Sequence, residues 1–88
     1  MKLEAKAMVF EVNPLLDPAR GGCWGCVQLW RDLGTAHVTQ LVELKWRFDD
    51  TVAGADRERE LVAMTETVVR YFSQSDVTDV ATINSVVM

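Results

Sequence analysis

Between Cys23 and Asp49 the chain changes its periodicity, and that change limits what the segment can fold into. From Ala36 onward apolar and polar residues alternate. Ala36, Val38, Val42, Leu44, Trp46 and Phe48 share one parity, and His37, Thr39, Glu43, Lys45, Arg47 and Asp49 the other. A repeat of two belongs to a strand with one buried and one wet face. The octet before it, Cys23-Trp24-Gly25-Cys26-Val27-Gln28-Leu29-Trp30, is apolar on both parities. As a strand it needs cover on both sides, whereas a small domain usually has a single helix to lay on one. The second face is therefore expected to carry an apolar cluster suited to a contact outside the domain.

The rest of the chain supplies the helix. Asp56, Glu58 and Glu60 at one end and Arg70 at the other suit the dipole of a helix from about Ala55 to Phe72. Leu61, Met64, Val68, Tyr71 and Phe72 recur at three- and four-residue spacing, which predicts that Leu61, Met64 and Val68 face the sheet. Glu58 and Glu66 fall on the wet side.

Lys2 to Val12 reads as a first strand, with Leu3, Ala5, Ala7 and Val9 on one face and Met8, Phe10 and Val12 making its far end apolar on both. Asn13-Pro14, Asp17-Pro18 and Gly21-Gly22 mark the loop that ends it. The second strand runs from Cys23 to Arg31 and the third from Ala36 to Phe48, joined by a hairpin at Asp32-Leu33-Gly34-Thr35. Asp49-Asp50-Thr51 ends the third strand. The tail from Val77 to Met88 is divided between a short helix to Ser85 and an edge strand favoured by Val80, Thr82, Ile83, Val86 and Val87; the helix is the expectation adopted.

The hairpin register decides the faces. A two-residue loop sets Leu29 opposite Val38. It places Cys23, Val27 and Leu29 in the core with Val38, Val42 and Leu44, and leaves Trp24, Cys26 and Trp30 outside beside His37, Thr39, Leu41 and Glu43. A three-residue loop exchanges the faces of the whole second strand. Either register leaves an apolar cluster away from the helix.

The chain of 88 residues is expected to form a single domain over 1–88. No run approaches the roughly 18 apolar residues of a membrane span, and the N-terminus lacks the apolar stretch of a secretory signal. A cytoplasmic protein without membrane association is the expectation. The net charge of −4 is concentrated after Phe48, and no basic stripe is present, which argues against direct contact with nucleic acid. The acidic half reads as a solvated surface.

Possible chemistry is sparse. Cys23-Trp24-Gly25-Cys26 has the spacing of a redox or half-zinc motif, yet it is followed by strand-like residues and has no companion ligands. Ordinary thiols are expected, with no metal and no cofactor. A thiol- or zinc-dependent regulator using Cys23 and Cys26 stands as the alternative. His37, the only histidine, has no nucleophile beside it, so an enzyme using it is the weaker reading. The Asp49-Asp50 pair lacks the spacing of a calcium loop, and Arg20-Gly21-Gly22 lacks the pattern of a phosphate loop.

The chain has three tryptophans, a residue enriched at the energetic centres of interfaces. Trp46 is assigned to the core. Trp24 and Trp30 are divided between core and contact surface.

The expected fold is α+β: three or four antiparallel strands with one amphipathic helix packed on one face. The expected role is non-enzymatic, as a module that docks on another protein or on a second copy as a homodimer. Its contacts are Trp24, Trp30, His37 and Leu41, with Val86 to Met88 adding to them. In size and charge such a chain is similar to small inhibitors carried by phages and other mobile elements, which cover the surface of a host enzyme.

Overall fold

Two antiparallel reversals and one helical crossover bring four strands into one sheet. The computed structural model describes residues 2–34, 36–73 and 80–87. The elements are β1 (Lys2–Val12), β2 (Gly22–Asp32), β3 (Val38–Arg47), α1 (Gly54–Ser73) and β4 (Val80–Val87), and the spatial order of strands is β3-β2-β1-β4. The α+β architecture, with the helix laid on one face of an antiparallel β1-β2-β3 sheet, is the one the sequence predicts. The tail differs: β4 is a strand, not a short helix, and it runs parallel to β1. Each hairpin reverses the chain, whereas α1 carries it back across the sheet, so the strand that follows β3 regains the direction of β1. The expectation that Val86 to Met88 bury against a partner lies outside the described side chains.

The core is built by parity. Leu3, Ala5, Ala7 and Val9 of β1 lie buried on the helix side, beside Cys23, Val27 and Leu29 of β2. Ala5 and Ala7 are 0% and 1% exposed, and their small side chains leave room for Leu61, Val68 and Val69 of α1 above them. Thr65 is the polar member of the helix's buried face, and its hydroxyl donates to the Leu61 carbonyl at 2.7 Å, which satisfies it within the helix. Met64 and Phe72 pack at the margin of the core, but Tyr71 is 76% exposed. The helix periodicity placed Tyr71 in the apolar stripe. The inward face instead rotates through Thr65 and Val69, because a hydroxyl that bonds its own helix can be buried among apolar groups.

The β2–β3 register is set by a longer turn and a bulge. The Leu33 N–H donates to the His37 carbonyl at 3.1 Å, and Gly34 (φ 77°) and Ala36 (φ 61°) both take left-handed conformations in the loop. Asp32 therefore pairs with Val38, and an irregularity between Leu29 and Trp30 inserts Leu41 as an extra residue in β3, so that Leu29 pairs with Val42. Relative to a two-residue loop the partner of Leu29 moves from Val38 to Val42, an even step. Cys23, Val27, Leu29, Val42 and Leu44 thus keep the helix side and Trp24, Cys26 and Trp30 the outer side. Val38 is the exception: lying before the bulge, it shares the outer side with Trp30.

Gly25 explains how Trp46 reaches the core from an edge strand. The two residues pair across β2 and β3, and a Cβ on Gly25 would stand 2.5 Å from the Trp46 indole and 3.0 Å from the Phe48 ring. Only a bare backbone lets the indole lie over β2, where it meets Phe48 edge to face at 5.6 Å.

Candidate functional site

α1 packs across β1, β2 and β4, all on one side of the sheet. On the other side β1, β2 and β3 align in rows: Phe10, Trp24 and Arg47; Met8, Cys26 and Lys45; Lys6, Gln28 and Glu43. A fourth row sets Glu4, Trp30 and Gln40 together. Met8, Phe10, Trp24 and Trp30 are half-buried and Cys26 is buried, although none of them lies beneath a helix. Gln28 donates to Glu43 at 2.6 Å, with Lys45 3.6 Å from the same carboxylate. The Gln28 bond and the nearby Lys45 charge hold the Glu43 carboxyl below its usual range against a smaller desolvation effect.

The two tryptophans of this face are held differently. Trp24 Nε1 donates to the Arg20 carbonyl at 2.8 Å and ties the indole to the β1–β2 loop. Trp30 Nε1 is buried with no acceptor among the described residues. The structure brings Trp24 and Trp30 onto one face but does not gather the other two expected contacts there. His37 is exposed in the hairpin loop, and Leu41, at the bulge, packs against the helix-side core. The inserted residue carries Leu41 out of the alternation on which its placement rested.

A feature that the alternation argument missed lies at the Trp24 end of the sheet. Leu15 and Leu16 are 88% and 82% exposed. Their turn is well specified: Asn13 Oδ1 accepts from the Leu15 N–H at 2.9 Å, and the Asn13 carbonyl accepts from Leu16 at 3.0 Å and Asp17 at 3.1 Å. The Asn-Pro-Leu-Leu-Asp-Pro composition announces a loop; two leucines set within strong turn formers were the available signal that it displays apolar groups.

A hollow of about 720 Å³ opens at the same end of the sheet, with Glu11, Gly22, Cys23, Arg47, Asp50 and Arg57 in its wall. Its charges are already matched. Arg47 donates to the Gly21 carbonyl at 2.9 Å and to Asp50 at 3.1 Å, and Arg57 lies 3.8 Å from Glu11. Cys23 is not activated there, since burial raises its thiol pKa more than the nearby Arg57 lowers it. His37 stands at the opposite end of β2, roughly 30 Å of extended chain away. Cys23 and Cys26, three residues apart on an unbroken stretch of β2, point to opposite faces and do not converge on one ligand. Burial raises the Cys26 pKa too.

Both thiols are therefore expected to alkylate slowly at neutral pH in the folded chain and rapidly once denaturant is added. Because their folded pKa values lie above the unfolded ones, the folded state keeps protons that the unfolded state releases. Stability should fall as pH rises past about 8.5, the ordinary thiol value. Rapid labelling of either cysteine in the native protein would contradict this.

No protein-family model matches the chain, and neither the curated proteins nor the solved structures contain a match. Among the described residues, no helix is long and apolar enough to cross a membrane.

Proposed function

We propose that this chain is a non-enzymatic protein-binding module. Its binding surface runs from the Leu15–Leu16 turn onto the outer sheet face at Phe10, Trp24 and Trp30. The observation that carries this reading is the ordered turn whose two leucines stand almost wholly in solvent. Exposed apolar groups on a preformed turn lose little conformational freedom when they dock, so most of their burial is available as affinity. The partner is a separate protein with an apolar surface that packs on the exposed leucines and on the half-buried side chains of Phe10, Trp24 and Trp30. Covering the surface of such a partner is the action of an inhibitor, the role that small size and negative charge already suggest, and a cytoplasmic setting fits it.

The test starts from the exposed leucines, because their replacement leaves the core intact. Leu15→Ser with Leu16→Ser should change unfolding free energy by no more than about 0.5 kcal/mol. The same change should weaken binding to a partner purified on the wild-type chain by about 2 kcal/mol or more, and Trp30→Ala should do likewise. Equal affinity of all three chains for that partner would remove the reading.

A further inference from the structure

β3 lies at one edge of the sheet and, among the described strands, pairs only with β2. The Phe48 N–H donates to the Cys23 carbonyl at 2.8 Å, in line with the register that pairs Trp46 with Gly25, Leu44 with Val27 and Val42 with Leu29. Opposed residues of an antiparallel pair alternate between exchanging hydrogen bonds and not exchanging them. Val42, Leu44 and Trp46 therefore direct their backbone groups at β2, and Glu43, Lys45 and Arg47 direct theirs at the open edge. The helix-side surface of this strand is also incompletely covered: Val42 and Trp46 are half-buried and Leu44 is 36% exposed.

We propose that a second copy of this chain pairs with this edge, antiparallel, about a two-fold axis at Leu44. The segment Val42-Glu43-Leu44-Lys45-Trp46 is complementary to itself in that register. Leu44 meets Leu44 of the second copy, Val42 meets Trp46, and Glu43 meets Lys45 on both sides of the axis. The residues whose backbone groups face the open edge, Glu43 and Lys45, are the ones that come into hydrogen-bonded opposition.

Charge selects the register. Moving the axis by one residue sets Glu43 against Glu43 or Lys45 against Lys45, and like charges directly opposed are destabilising. Charged side chains commonly protect sheet edges from pairing; here they permit one alignment and oppose its neighbours. The ends of the segment are fixed by the bulge at Leu41 and by Arg47, which is bound to Gly21 and Asp50.

On the helix side, Val42, Leu44 and Trp46 and their counterparts form an apolar strip where α1 does not lie. An axis perpendicular to the sheet keeps both helices on one side, so two four-stranded sheets become a single outer face. This pairing uses none of the residues assigned to partner binding, and it stands or falls independently of that assignment.

Charge reversal with rescue tests it. Sedimentation equilibrium of the full chain over a concentration series should show a monomer–dimer equilibrium. Lys45→Glu should raise the dissociation constant roughly tenfold or more, since it opposes two glutamates on each side of the axis. The double variant Glu43→Lys with Lys45→Glu should restore dimerisation. Both side chains are at the surface, and circular dichroism should show each variant folded. A wild-type chain that remains monomeric throughout, a Lys45→Glu chain that dimerises as the wild type does, or a double variant that fails to recover would each overturn the proposal.

Discussion

Phe48→Ala is expected to lower the free energy of unfolding by about 3–5 kcal/mol, the range for deleting a buried aromatic ring. Phe48 is 2% exposed and lies just beyond the end of β3, where its ring supports the Trp46 indole. That indole lies across Gly25 and meets the Phe48 ring edge to face, so the substitution removes this contact together with the buried ring and leaves a space that the core fills only in part. The backbone bond from Phe48 to Cys23 survives the change, which makes the loss a measure of packing. Urea denaturation followed by tryptophan fluorescence is the measurement. A loss below about 1 kcal/mol would show that the Trp46–Phe48 pair is not part of the cooperative core.

Leu61→Ala is expected to cost about 2–5 kcal/mol. Leu61 is fully buried and belongs to the cluster formed by the helix and the alanines of β1. Alanine has the higher helix propensity, so any loss comes from packing and not from the helix itself. Tyr71→Ala is the contrast. It lies in the same helix and in the same sequence periodicity but is 76% exposed, and its replacement should stay within about 0.5 kcal/mol. Equal losses at the two positions in denaturant would show that the buried face of α1 has been assigned to the wrong side. Glu58→Ala and Glu66→Ala, also on exposed positions, should behave as Tyr71→Ala does.

The two effects rest on different kinds of information. The burial of Leu61 follows from spacing along a helix, and it is legible without knowing what the helix touches. The dependence of Phe48 and Trp46 on Gly25 is not. It arises from a cross-strand pairing that no local pattern encodes, because the register was set by the turn and the bulge far from Gly25.

The candidate surface divides in the same way. Trp24 and Trp30 share a face because strand parity is a local property and the register shift was even. Leu41 left that face because one inserted residue changes the direction of a side chain without changing its place in the sequence. His37 was separated from the tryptophans by the longer hairpin loop. Leu15 and Leu16 were hidden from an argument built on alternation, since a loop has no period, and only the fixed turn about Asn13 makes them a surface.

By itself the sequence determined β1, the extents of β2, β3 and α1 to within a residue or two, and the two-sided apolar character of β2. These depend on periodicity, turn formers and dipole-matched charges, all of which act over a few residues. The tertiary structure alone decided the turn, the bulge and the state of the tail. Residues 80–87 have side chains compatible with more than one conformation, and the free edge of β1 that fixes them as a strand lies some seventy positions earlier in the chain. Hydrogen bonding to that edge satisfies their backbone groups in a parallel ladder, an interaction between distant segments that local preference cannot specify.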